Sequence, residues 1–127
     1  MVRWSSRYSV GIPAVDTQHK EIFKLVDEFS RAVKNNEELD MTFLIARLEV
    51  YSLYHFTSEE HLMRKYGYPE IDEHLREHKK FRRKILAVKG SAVTPETLKD
   101  LLAFLENWLK THIIEMDHKY APYLTGR

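Results

Sequence analysis

The 127-residue sequence has no cysteine, which removes disulfides, thiolate metal sites, iron–sulfur clusters and thiol nucleophiles in one step. Any metal must then be held by nitrogen and oxygen. Glycine and proline are scarce, four of each, and no internal repeat is present, so solenoids and turn-dense β architectures are excluded and the elements should be long. Neither sign of charge prevails. The 20 Lys and Arg against 19 Asp and Glu leave a formal net charge of +1, too weak a field to recruit nucleic acid or an anionic membrane. No apolar run approaches the roughly 20 residues of a membrane span, and the opening Met1-Val2-Arg3-Trp4-Ser5-Ser6 lacks the apolar core of a secretory signal. The expectation is a single domain, 1–127, that is cytoplasmic and has no nucleic-acid or membrane partner.

What the sequence does have is helical periodicity in four stretches. After an extended arm, 1–15, Asp16 stands where a helix N-cap is expected, and a helix over about 17–34 carries Ile22, Phe23, Val26, Phe29, Ala32 and Val33 on one face. Asp40 is a second N-cap candidate, opening a helix over about 41–65 that runs through Phe43, Leu44, Leu48, Tyr51, Leu53, Tyr54 and Phe56. The Gly67-Tyr68-Pro69 break introduces a third helix, about 69–89, stopped by Gly90. Thr94-Pro95-Glu96 caps a fourth, about 95–117, with Leu98, Leu101, Leu102, Leu105, Trp108 and Leu109 on its stripe. Helices of this length with short connections pack most simply as an all-α, up-down-up-down four-helix bundle.

Seven histidines are spread so that every helix carries at least one. His55 and Glu59 are four residues apart and share a helix face, as do His74 and His78. His19 aims to the core side of the first helix, and His112 and Asp117 end the fourth. Taken singly, each is readily explained as a core histidine or a solvated pair. Taken jointly, five imidazoles and two carboxylates in one small core cost several kcal/mol per unpaired group, a penalty that bound cations remove. Seven ligands exceed the four of a structural zinc site and imply two metals, with Glu59 and Asp117 as the natural bridges. His61 and His118 fall off these faces and are read as non-ligands. Glu60 is read as a surface partner for Lys or Arg, with a role behind the ligands as the alternative.

Trp4, Val10-Gly11-Ile12, Asp16-Thr17-Gln18-His19, His55-Phe56 through Glu59-Glu60, His74 through His78 and His112 through Asp117 together resemble the hemerythrin family, and its single-domain bacterial members in particular, along essentially the whole chain. The resemblance implies two iron ions, one held by His74, His78 and His112 and the other by His19 and His55, bridged by Glu59, Asp117 and an oxo or hydroxo group. By the same resemblance the second iron keeps an open position where dioxygen binds reversibly, for carriage, storage or delivery. Separately, a monomer is slightly favoured. Reversibility requires a tight apolar pocket. Trp108 and Leu109 are candidates for its lining, against the reading that they are ordinary core, and the Trp4 and Tyr8 arm is expected to cover the bundle. Rival readings are a di-iron oxidase, an oxygen or redox sensor, and a purely structural metal bundle. An oxidase is disfavoured because the carboxylate-rich oxidase bundles use two Glu-x-x-His strings, whereas only Glu115 to His118 occurs here.

One spacing conflicts with a regular helix. Five residues at about 100° each set His112 and Asp117 roughly 140° apart. A π-type widening or an unravelling between them is therefore expected.

Overall fold

A computed structural model describes residues 3–35, 41–90 and 94–125. Its elements are a 3-10 turn Ser6–Tyr8 and helices α1 (Pro13–Lys34), α2 (Met41–Lys65), α3 (Ile71–Lys89) and α4 (Pro95–Trp108). The fourth helix runs on without a break through a π-helical stretch, Leu109–Asp117, into α5 (His118–Thr125). Consecutive helices pack against one another and α1 closes on α4, which makes a four-helix bundle with no strand among the described residues. No helix is long and apolar enough to cross a membrane among the described residues.

The ends of the helices show where local chemistry overrode the sequence reading. The first helix starts earlier than expected, with Pro13 in its first turn and Ile12 as N-cap. Asp16 is thus no cap but a clamp for the arm. Its carboxylate accepts from Ser9 Oγ at 2.6 Å and from the Val10 amide at 2.9 Å. Asp40 lies outside the described residues. The third helix starts at Ile71 instead of Pro69, because α2 ends in a Schellman turn that consumes the intervening residues. The Tyr68 amide donates to Met63 O and the Gly67 amide to Arg64 O, with Gly67 at φ 68, a conformation open to glycine without strain. Gly90 is the C-cap of α3 as expected. The fourth helix has its cap where expected, as a reciprocal box in which Thr94 Oγ1 accepts from the Thr97 amide and Thr97 Oγ1 from the Thr94 amide. The helical path does not stop at Asp117 but continues to Thr125.

The main core joins Phe23, Phe29, Leu48, Phe56, Phe81, Leu105, Trp108 and Ile113, while a second cluster joins Val10, Val15, Met63, Tyr68 and Tyr120. On α2 the expected stripe divides. Leu44, Leu48 and Phe56 are buried, but Phe43, Leu53 and Tyr54 point outward. The arm folds back on α1, with Trp4 5.7 Å from Phe23 and 5.9 Å from Tyr8 by ring centroids.

Candidate metal centre

Between the two apolar clusters lies a group of polar side chains that solvent does not reach. His19, Glu59, His74, His78 and Asp117 are 0% exposed, and His55 and His112 are 1% exposed. All four main helices contribute. Regular α-helical spacing brings His55 with Glu59 and His74 with His78, each pair a turn apart on an inward face. The π stretch performs the same service for the last pair. Its wider turn puts residues five apart on one side, and His112 Nε2 comes within 3.0 Å of Asp117 Oδ1.

The seven side chains divide into two sets that could each hold a cation: Glu59, His74, His78 and His112, and His19, His55, Glu59 and Asp117. Glu59 belongs to both, with Oε1 3.2 Å from His55 Nε2 on one side and 3.2 Å from His78 Nε2 on the other. Asp117 reaches both with different oxygens. Its Oδ2 is 2.9 Å from His19 Nε2, and its Oδ1 is 2.9 Å from His74 Nε2.

Not every short distance here is a hydrogen bond, although His78 Nε2 does bond to Glu59 Oε1 at 3.2 Å. Among the described residues, both Asp117 oxygens and the Nε2 atoms of His19, His74 and His112 are buried without a hydrogen-bond partner, although they crowd one another. Lone pairs converging on shared points in a dry interior are costly unless a cation occupies those points. The donor set of nitrogen and carboxylate oxygen suits a borderline divalent or trivalent metal such as iron.

Electrostatics describe the same frustration. Burial disfavours the charged form of His19, but the Asp117 and Glu59 carboxylates outweigh it and raise the imidazole to about 9. His74, against the same opposition from burial, is raised by the same carboxylates to about 10. His112 is raised likewise, whereas His55 is lowered, burial prevailing there. Despite burial, and for Asp117 the nearby Glu59 charge, surrounding imidazoles hold both carboxyl groups well below the carboxylate range. In the metal-free fold the carboxylates thus favour charged imidazoles and the imidazoles favour charged carboxylates, against the cost of burial.

A ring of further side chains backs these seven. Gln18 Oε1 meets His55 Nδ1 at 2.7 Å, Glu60 Oε2 meets His78 Nδ1 at 2.8 Å, and Tyr120 donates to Glu59 Oε2 at 2.5 Å. Of these, only Glu60 was given a role from the sequence, Gln18 appearing there just as part of a motif, and the structure places Glu60 against a histidine as well as beside Arg64 and Arg82. Gln18 precedes His19 directly, and Tyr120 follows Asp117 at a three-residue spacing. Those are the sequence signals that mark them. Trp108 stacks on His112 at 4.3 Å and 9°, so it flanks the three-histidine set, and Leu109 is fully buried in the main core. Beside His19 the aromatic neighbour is Trp4, at 6.4 Å. His61 is exposed, and His118 donates from Nδ1 to Ile113 O, serving a backbone carbonyl of the π stretch.

The family model for the hemerythrin HHE cation binding domain matches residues 10–124. The chain belongs to the hemerythrin family. Among hemerythrins, it is 26% identical to the bacteriohemerythrin of Clostridium acetobutylicum over 94% of this chain and 98% of that one. It is 30% identical to the myohemerythrin of Theromyzon tessulatum over 96% of this chain and 92% of that one. A crystal structure of a wild-type hemerythrin superposes with a TM-score of 0.77 at 27% identity, covering 98% of each chain. A hemerythrin fold thus surrounds two buried His/carboxylate clusters in a cation-binding family, as a bridged dinuclear site requires.

Proposed function

We propose that this hemerythrin binds dioxygen reversibly at a di-iron centre held by His19, His55, Glu59, His74, His78, His112 and Asp117, and serves oxygen carriage, storage or delivery. The observation that carries the reading is the unequal division of the buried histidines, three on one side of the carboxylates and two on the other. When bound, two ferrous ions would supply the two electrons that dioxygen takes up and later returns. The chain's part is to hold them and to keep water out. His74, His78 and His112 with the two carboxylates fill one set, while His19 and His55 leave the other a donor short. Phe56, 5.9 Å from His55 and stacked 4.0 Å from His78, and Trp4 beside His19 make the surroundings apolar, which is what reversibility demands.

Two features favour binding over turnover. The Glu-x-x-His string of the carboxylate-rich oxidases leads nowhere here, since Glu115 is exposed and His118 is committed to Ile113 O. The acid groups that bond directly to the proposed ligands are themselves engaged, Glu60 with His78 and the Tyr120 hydroxyl with Glu59.

The test is optical. Protein loaded anaerobically with ferrous iron is exposed to air and then to argon over repeated cycles. A visible absorption band that appears with oxygen and vanishes on its removal is the expected result. A single irreversible change to a diferric spectrum would move the assignment to an oxidase or redox sensor.

A further inference from the structure

The two histidine sets are supported unequally from behind. On the three-histidine side, His78 Nδ1 donates to the carboxylate of Glu60. On the two-histidine side, His55 Nδ1 donates to the amide oxygen of Gln18, whose nitrogen end is turned to Ser58 Oγ at 3.2 Å. Both contacts fix the same tautomer and leave Nε2 free to bind a cation. They differ in charge. An ionised acceptor draws on the Nδ1 proton and makes Nε2 a more basic ligand, while a neutral amide only orients the ring. Among the described residues His19, His74 and His112 have no hydrogen-bond partner at Nδ1, so none offsets the difference.

Glu60 is built into this position. Its side chain is 15% exposed, and Arg64 and Arg82 flank its oxygens at 4.0 and 3.9 Å. Those guanidinium groups temper the negative charge that reaches His78.

We propose that Glu60 is a positioning residue that makes the two metals electronically unequal, so that the metal in the His74, His78 and His112 set gives up its electron first. This rests on the di-iron reading above. The step is a one-electron oxidation of Fe(II) to Fe(III), the electron passing to an electrode and no bond to the protein breaking. Gln18 and Glu60 are thus the paired settings of one device, a neutral one behind the two-histidine metal and a charged one behind the other.

The experiment is spectroelectrochemical titration of the anaerobic, iron-loaded protein, with Mössbauer spectra at half oxidation. The wild type is expected to oxidise in two separate one-electron steps. Glu60→Gln should raise the first potential by about 60–120 mV, the equivalent of a 10- to 100-fold change in relative affinity, and leave the second nearly fixed. Gln18→Glu should lower the second potential, and the double variant should bring the two steps together or reverse them. Equal shifts of both steps in Glu60→Gln, or no shift, overturn the proposal. If that variant fails to load iron, Arg82→Gln decides, because it leaves His78 untouched. A first potential lowered while the second stays nearly fixed supports the proposal, and an unchanged first potential or an equal fall in both overturns it. Fewer than two irons in the wild type would instead overturn the di-iron reading itself.

Discussion

His112 and Asp117 stand five residues apart, yet their Nε2 and Oδ1 atoms approach to 3.0 Å because Leu109–Asp117 is wound as a π-helix. Such winding is rare and recurs mostly at functional sites. Part of its cost here is met locally, by His118 Nδ1 bonding to Ile113 O. The rest must come from what the stretch holds. Backbone amides of the π stretch should therefore exchange faster in metal-free protein than in metal-loaded protein, by at least tenfold, while those of Leu101 to Leu105 change little. Hydrogen exchange read by mass spectrometry checks this. Equal protection of the π stretch in both forms would mean that its geometry is set by packing alone.

Glu59 is the side chain common to both clusters, so its loss should be felt twice. Glu59→Ala is expected to bind fewer than two metals per chain. It should also be destabilised by about 3–5 kcal/mol, since removing one member of a buried charged cluster strands the others. Metal analysis and thermal melting of the same sample measure both. Two metals retained with unchanged melting would sink the assignment of Glu59 as a bridge.

Acidity gives an independent handle. His19 and His74 are held in the metal-free fold at about 9 and about 10, above the roughly 6.5 of an unfolded imidazole. The stabilisation that accompanies those raised values is fully present below about pH 6.5 and is lost as pH rises through 9 to 10. Asp117 and Glu59, held below the ordinary carboxylate range, contribute stability that is present above about pH 4 and lost in acid. Metal-free protein should thus melt progressively lower from pH 7 to pH 10, whereas metal-loaded protein should not. Metal must displace the imidazole protons, so loading near pH 7.5 should release protons, seen as a buffer-dependent heat in titration calorimetry. A buffer-independent heat would contradict the protonated state of the empty cluster.

The local rules that place side chains on helix faces carried most of the site. Pairs four residues apart, His55 with Glu59 and His74 with His78, meet because of helical geometry that no tertiary contact can much alter. The mismatch of His112 and Asp117 with a regular helix pointed to the π stretch for the same reason. Helix ends were less legible, because Asp16 serves equally as a cap or as an anchor for an arm, and only the approach of Ser9 and Val10 selects the second use. Pro69 suits a first helical turn, but the Schellman turn at Gly67 uses the space first. Least legible were the partners behind the proposed ligands. Gln18 reaches His55 across 37 residues of sequence and Tyr120 reaches Glu59 across 61, distances over which only the packed bundle decides what meets what.

Tyr120 provides the last prediction. Its hydroxyl is fully buried and donates to Glu59 Oε2 at 2.5 Å, while its ring lies 5.4 Å from His74 and 6.2 Å from Tyr68. Burial and then the Glu59 charge push the phenol well above its usual range, so it acts as a donor at every working pH. Tyr120→Phe keeps the ring in place and removes only that donor, leaving a buried carboxylate oxygen with one hydrogen bond fewer. A loss of about 1–3 kcal/mol is expected in metal-free protein, where the other close partner of that oxygen is His19 Nε2 at 3.9 Å. In metal-loaded protein a cation held by the same carboxylate would compensate it, and the loss should shrink. The comparison of chemical denaturation for both forms of wild type and variant isolates the effect. An equal loss in both forms would show that Tyr120 supports the fold near Met63 and Tyr68 and not the carboxylate that joins the two clusters.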